Sequence, residues 1–504
     1  MLYVYVASTR MNLRVCTEFA RGEPRARKVL FYVDTGSAPE LRASETKAYL
    51  ERTYSGSFDE IVYFNDLCQP YHPASEPAYT RQIVSAIFLK LGFSSAVRVY
   101  LTSLQAYPAL GIAGMFPGAE LHYYGDGLMS FSPPRATFTD DIIHRLTDAY
   151  HLDFIAEPSM YFGLDVGART HRIDCAGLFP AAKAAMGQGH APATALLVGQ
   201  CFEHSGMMSQ ADEIKLWLSA FPADFQWPAF IERVAFKPHP RMKYFSSQSI
   251  LAGLRKRFPA LAVEELQGSD EVEDLAGPEN VVLAVGIFST SLFFLKDVLG
   301  VPVLQFGCRD VYRRLAPFEN SNRIPLFLAE HLIPDMNASE SRALLASTSA
   351  AELQAAYRKI AARHVYDDMV KAGHFLLGFA MQPAKFKSKV SLANGLAAPA
   401  SDETLALLFG SHSSSLDNIR GTGFRGRATK LYLAGATDED LLGARPQAGL
   451  ALRLLLSGRG TQAWRMTGRL AQDIWRGVRR QTSPTALRNG MTALGRFGKP
   501  RGKK

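Results

Sequence analysis

Short apolar or aromatic runs recur through the first part of the chain at Leu2–Ala7, Lys28–Val33, Glu60–Phe64, Ala96–Thr102 and Glu120–Tyr124. They are continuous rather than alternating, so each predicts a strand covered on both faces, the habit of parallel sheets. Ser44–Arg52 and Tyr79–Leu91, which lie between them, have helical spacing. The result is the βαβ rhythm of a doubly wound sheet.

A second series follows the Gly/Ala/Pro-rich stretch 187–192. Strands are predicted at Ala193–Gly199, Arg233–Lys237, Leu261–Glu265, Asn280–Val285 and Val301–Phe306. Helices are predicted at Ser209–Phe221, Ser247–Phe258 and Ser291–Leu299. Ser209 opens the first of these with Asp212 and Glu213 in the first turn, as an N-cap and a helix dipole favour. Neither half carries a GxGxxG at its first turn. Two Rossmann-like α/β halves of this kind suggest the GT-B layout: an N-terminal domain over 1–187 and a C-terminal domain over 188–385, facing a cleft. Two unrelated α/β domains would give the same rhythm. Beyond about residue 386 the strand rhythm stops, and 386–504 reads as a basic, partly helical extension.

The composition of the 504 residues, 47% hydrophobic and 20% charged, is that of a globular protein and excludes a disordered one. A core of that size needs no disulfide staples. The five cysteines (Cys16, Cys68, Cys175, Cys201, Cys308) are scattered with no CxxC, which argues against a zinc ribbon or redox motif. They read as small core residues in a reducing compartment. The start, Met-Leu-Tyr-Val-Tyr-Val, reads as a strand and not a signal peptide. The longest apolar runs, near Phe288–Leu295 and Phe375–Met381, are too short to span a bilayer. A cytoplasmic protein, soluble or peripheral, is expected.

The net charge of +9 hides an asymmetry. From Arg420 to Lys504 there are 18 Lys/Arg against 4 Asp/Glu, a net of +14, which leaves −5 for the rest. Such a tail points to a polyanionic partner. Within it, Gln462–Arg480 puts Trp464, Ala471, Ile474, Trp475 and Val478 on one side of a helix, and Arg465, Arg469, Arg476, Arg479 and Arg480 on the other. This basic amphipathic pattern suits an anionic membrane surface. A helix docked on the body through its apolar face is the competing reading. No nucleic-acid recognition fold accompanies the charge.

Three motifs stand at the carboxyl ends of predicted strands, where doubly wound sheets carry their chemistry. Tyr123-Tyr124-Gly125-Asp126-Gly127 holds a carboxylate between two glycines, open to a bulky acceptor; an ordinary Asp-Gly turn is the plain alternative. Phe236-Lys237-Pro238-His239-Pro240-Arg241 fixes a histidine between prolines with a cation on either side, which suits a phosphate; a structural histidine is the alternative. Phe288-Ser289-Thr290-Ser291 puts consecutive hydroxyls at a helix start, an anion site beyond what simple capping requires.

In this order the motifs resemble the bacterial sialyltransferases, particularly the α-2,8-polysialyltransferase family, over roughly residues 1–385. That family shows an acidic-acidic-Gly motif, a His-Pro motif and a Ser/Thr pair; here they are Gly125-Asp126-Gly127, His239-Pro240 and Ser289-Thr290-Ser291. The first acidic position is Gly125 in this chain, and Asp126 is the only carboxylate on that turn. The resemblance implies an inverting transfer of sialic acid, or a related nonulosonate or Kdo, from a CMP-sugar to a hydroxyl of a surface glycan, possibly lipid-linked, with no cofactor and no metal. Asp126 would be the base and His239 would stabilise or protonate the departing phosphate. Ser289, Thr290 and Ser291 would hold that phosphate, with Lys237 and Arg241 adding charge. Cleft closure would exclude water. The implied location is the inner face of the bacterial inner membrane.

Lesser candidates are Ser8-Thr9-Arg10-Met11-Asn12 after the first strand, the Tyr123–Tyr124 pair as a sugar platform or as core, and His204. Asp140-Asp141 and Asp367-Asp368 read as solvated faces or caps. The nearest enzyme alternative is a CDP-glycerol glycerophosphotransferase, whose family pairs a His-Pro motif with a Ser-Ser pair. The alternative from another class is a non-catalytic, membrane-associated glycan-binding or scaffold protein that lost its base at Gly125.

Overall fold

The computed structural model describes residues 1–381 apart from 35–42, 69–95, 105–107, 135–137, 156–167, 187–190, 204, 267–270, 278, 316–319, 368–369, 372–373, 375–376 and 379–380. Residues 1–378 form one compact unit and 379–504 a second. Of the second unit only Met381 is among the described residues, so the basic tail and the helix expected at 462–480 lie outside them, as do His204, Asp368 and the helix expected at Tyr79–Leu91. No helix among the described residues is long and apolar enough to cross a membrane.

The first unit holds both sheets. Strands β1 (Leu2–Ala7), β2 (Arg27–Tyr32), β3 (Glu60–Tyr63), β4 (Ala96–Leu101), β5 (Glu120–Tyr124), β6 (Leu146–Leu152) and β7 (Arg169–Ile173) form a seven-stranded sheet ordered β3-β2-β1-β4-β5-β6-β7. Strands β8 (Thr194–Val198), β9 (Arg233–Lys237), β10 (Ala262–Glu265), β11 (Val281–Gly286) and β12 (Val303–Gln305) form a five-stranded sheet ordered β10-β9-β8-β11-β12. Every neighbouring pair is parallel. The strand order reverses between β1 and β4 in one sheet and between β8 and β11 in the other, and ligands of open α/β sheets bind beside such reversals, outside the carboxyl ends of the strands.

The central strands β1 and β8 are buried along their whole length, which is why they read as unbroken apolar runs. β6 and β7 escape that rule and were not predicted. β6, Leu-Thr-Asp-Ala-Tyr-His-Leu, buries Asp148 at 3% exposure. The carboxylate is satisfied across the ladder by the Arg169 guanidinium (both bonds 3.0 Å) and by His171 Nε2 at 2.6 Å, both from β7. β7 is an edge strand with exposed arginines, so its sequence shows no apolar run.

Helix boundaries shift by a few residues. Ser209 caps helix Gln210–Ser219 as expected, its hydroxyl accepting from the Asp212 N–H. The helix expected from Ser247 starts earlier, at Tyr244, and runs to Arg257. The helix expected over Ser291–Leu299 is one α-turn, Thr290–Phe293, followed by a π-helical turn, Phe294–Val298. Asp140 and Asp141 open a short helix capped by Thr139, and Asp141 pairs with Arg145 at 2.5 Å. Asp367 accepts the Val370 N–H. Tyr124 is core: it is fully buried and its hydroxyl donates to the Val6 carbonyl at 2.5 Å. Tyr123 is buried in the hydrophobic core on the opposite face of the strand.

Candidate functional site

One cavity of about 690 Å³ lies between the two sheets and is lined by Asp126, Lys237, His239, Pro240 and Ser289–Ser291 together. The carboxyl ends of β5, β8, β9 and β11 converge on it, so residues from both halves face the same space.

Asp126 follows β5. At the strand end the Gly125 N–H donates to the Tyr150 carbonyl at 2.8 Å, which carries the ladder one residue past β5. A Cβ on Gly125 would lie 2.2 Å from Ser130 Cβ, so no side chain fits where the resembled family has its first acidic residue. Asp126 is left as the carboxylate of the turn, half-buried and opening on the cavity. Its Oδ2 accepts from Asn12 Nδ2 at 2.8 Å. Asn12 is fully buried, and its Oδ1 accepts from the Ser8 N–H at 3.1 Å and the Ser8 hydroxyl at 3.0 Å. A backbone N–H can only donate, so the amide oxygen must face Ser8 and the amide nitrogen must face Asp126. Burial raises the Asp126 pKa, and the Asn12 hydrogen bond pulls it back. A carboxylate more basic than usual is suited to accept a proton. Within the Ser8–Asn12 stretch, then, Asn12 sets the carboxylate, Thr9 caps the helix that carries Asn12, and Met11 lines the cavity.

In the second half, the backbone of Lys237-Pro238-His239 passes close against Gly199 at the end of β8. A Cβ on Gly199 would meet the Lys237 carbonyl oxygen at 2.8 Å and His239 N at 2.9 Å, so glycine is required for this approach. Lys237 is buried at the end of β9 and lines the cavity. His239 Nδ1 accepts the Arg241 N–H at 3.1 Å, so in the neutral ring the proton sits on Nε2, the nitrogen that donates. Arg241 thus acts on the site through its backbone; its side chain is not among the residues lining the cavity.

The three hydroxyls divide their tasks. Ser289 occupies the N-cap position, but its side chain makes no capping hydrogen bond. Thr290 turns to the first half: its Oγ1 accepts the Leu128 N–H at 3.2 Å, and a Cβ on Gly127 would stand 2.7 Å from it. Ser291 donates to Glu273, which lowers the pKa of that carboxyl, yet burial and the nearby Glu271 push it up to about 7. The loop before the hydroxyls is fixed by Gln200, whose Oε1 accepts the Phe288 N–H at 3.2 Å.

Sequence reasoning missed the acidic wall of the cavity, Glu265, Glu271 and Glu273. Glu271 and Asp274 are bound by Arg14 of the first half, at 2.9 Å and 2.5 Å, and the same guanidinium donates to the Leu178 carbonyl. The one available signal was the acidic run Glu271-Val-Glu-Asp274, which looks like a solvated stretch. Tyr244, at the cavity's exposed lip, was also missed.

Two parallel-sheet α/β halves with a shared cleft at the carboxyl ends of their strands define a protein of GT-B layout. No family model matches the chain, and no curated protein matches it. Solved structures of similar outline include a glycosyltransferase from Rickettsia africae (8% identity, 78% of this chain and 97% of that one, TM-score 0.38). Another is MurG from Acinetobacter baumannii (10% identity, 75% and 99%, TM-score 0.38). A third is a UGT transferase from Siraitia grosvenorii in complex with UDP (12% identity, 79% and 100%, TM-score 0.40). At these scores the class rests on the strand orders and not on the likeness.

Proposed function

We propose that the chain is an inverting glycosyltransferase that moves sialic acid, or a related nonulosonate, from a CMP-sugar to a hydroxyl of a bacterial surface glycan. The observation that carries this reading is the composition of one cavity: a carboxylate with a raised pKa from the first half, and His239, Lys237 and a hydroxyl triplet from the second. Asp126 takes the proton of the acceptor hydroxyl as its oxygen attacks the anomeric carbon. The bond from that carbon to the phosphate oxygen breaks, and its electron pair leaves with CMP. His239 Nε2–H donates to the departing phosphate, while Lys237 and Ser289 offset its charge. A monophosphate leaving group sheds less charge than a diphosphate, so side chains can stand in for a metal. The motif order Gly125-Asp126-Gly127, His239-Pro240, Ser289-Thr290-Ser291 supports CMP-sialate as the donor.

Incubation with CMP-sialic acid and, separately, with CDP-glycerol tests the donor by following CMP release. The reading expects release from CMP-sialic acid, with the sugar transferred to a glycan acceptor. Turnover of CDP-glycerol alone would make the protein a glycerophosphotransferase. No turnover of any CMP-nonulosonate would favour a non-catalytic glycan-binding or scaffold role. We further propose that the basic stretch 462–480 holds the enzyme on the anionic inner face of the membrane, beside a lipid-linked acceptor; salt-sensitive sedimentation of the full chain with anionic but not neutral vesicles is the expected result.

A further inference from the structure

The turn that carries Asp126 is tied to the second half at three points. The chain after Gly127 makes one tight turn, Leu128–Phe131, closed within itself by the Ser130 hydroxyl and N–H, which donate to the Gly127 carbonyl at 2.7 and 3.0 Å. Leu128 N–H is bound by Thr290, and the Ser132 hydroxyl donates to the Ser321 carbonyl at 2.9 Å. The third tie comes from the end of the second half: His374 Nε2 lies 2.9 Å from the Phe131 carbonyl oxygen, and Tyr366 Oη lies 2.9 Å from His374 Nδ1.

The chemistry of this last tie is unambiguous in direction. A carbonyl oxygen only accepts, so Nε2 carries the proton, and Nδ1 of the neutral ring must accept from the Tyr366 hydroxyl. His374 is 2% exposed, and burial lowers its pKa to about 4, so the ring stays neutral near pH 7. Phe131 is itself buried. Ser130, one residue earlier, is the side chain against which Gly125 packs. Any shift of Phe131 therefore passes through Ser130 to both glycines that bracket Asp126.

We propose that His374 is a positioning residue for Asp126, holding the turn behind the base through the Phe131 carbonyl so that the end of the second half fixes where the base can reach. This rests on the reading of Asp126 as the base of sugar transfer. It also means that the base is registered to the donor half, and not to its own sheet alone.

Hydrogen exchange in the full-length protein tests the clamp without reference to activity. His374→Leu removes the donor to Phe131, and the amides of Ser130 and Ser132 should then exchange about tenfold faster or more. His374→Gln puts an amide nitrogen close to where Nε2 stood, and exchange should return toward wild type. If His374→Leu does not fold, Tyr366→Phe, which removes only the hydroxyl held by Nδ1, should give a smaller change in the same direction. Unchanged exchange in both His374→Leu and Tyr366→Phe overturns the proposal, as does a Gln variant indistinguishable from Leu. With the substrate, His374→Leu should lower kcat by about tenfold or more while the donor KM stays within about twofold. If exchange responds as expected but the wild type transfers no sugar from any CMP-nonulosonate, the clamp stands and the assignment of Asp126 as a sugar-transfer base falls.

Discussion

Gly127 and Thr290 belong to different halves of the molecule, yet a single methyl group on Gly127 would come within 2.7 Å of the Thr290 hydroxyl. The turn that carries Asp126 and the hydroxyl triplet of the second half are thus already in contact, and the Leu128 N–H closes the join. The Gly127→Ala variant should push the halves apart, at a cost of about 1–3 kcal/mol in stability and a larger loss in kcat. Thermal unfolding and transfer kinetics measured side by side check this. A variant that loses stability but keeps its rate would mean that the contact is only packing.

Asn12 donates to Asp126 and so lowers its pKa against the effect of burial. Without that bond the carboxyl titrates higher. In Asn12→Ala the rising limb of the pH–kcat/KM profile, where the base loses its proton, should move to higher pH. A limb that stays put would show that Asp126 is not the group titrating.

Much of this was legible in the sequence, and the rest was not, for reasons that the particular residues make plain. The central strands showed because burial on both faces demands unbroken apolar runs. His239 showed because its prolines, its cations and the strand before it are contiguous. Asn12 was visible only as part of a strand-end stretch, since its partner lies 114 positions away. Arg14 and Glu271 are 257 positions apart, and only the folded cleft makes them a pair. Strand β6 was hidden by Asp148, a charge that the pattern of apolar runs assigns to the surface and that Arg169 and His171 make tolerable inside.

The Arg14 bridge leads to a prediction of its own. Arg14→Ala removes the guanidinium that binds Glu271 and Asp274 and leaves half-buried Glu271 beside Asp274 with only the charge of Arg10 to offset it, which should lower stability, by less than the roughly 3–5 kcal/mol lost when a fully buried pair is broken. Glu271 also lines the cavity, so the donor KM should rise. Pairing Arg14→Ala with Glu271→Gln should recover part of the stability, since the uncompensated charge is gone. Chemical denaturation of the two single variants and the double variant checks the coupling.

Burial holds three histidines neutral in the folded protein, His151 down to about 3 and His331 and His374 to about 4. Unfolded, each titrates near its ordinary 6.5, so below that pH the unfolded chain binds more protons and gains on the folded one. Through these histidines stability should fall from about pH 6.5 toward pH 4, offset in part by Glu273, whose carboxyl, pushed up to about 7, binds its proton first in the folded chain. Asp148, which its hydrogen bonds to Arg169 and His171 hold down at about 2 against burial, adds a second loss below about pH 4, as acid protonates it. A melting temperature that rose on acidification across pH 6.5 to 4 would contradict this.

The central claim is that Asp126 takes the proton from the acceptor while the second half holds the departing CMP. Its most direct test is transfer from CMP-sialic acid to a glycan acceptor by wild type and Asp126→Asn, with the affinity of each for CMP measured by calorimetry. The account predicts transfer by the wild type, a loss of about 10²–10⁴-fold in kcat for Asp126→Asn, and CMP affinity unchanged between the two. Transfer by Asp126→Asn at the wild-type rate would contradict it.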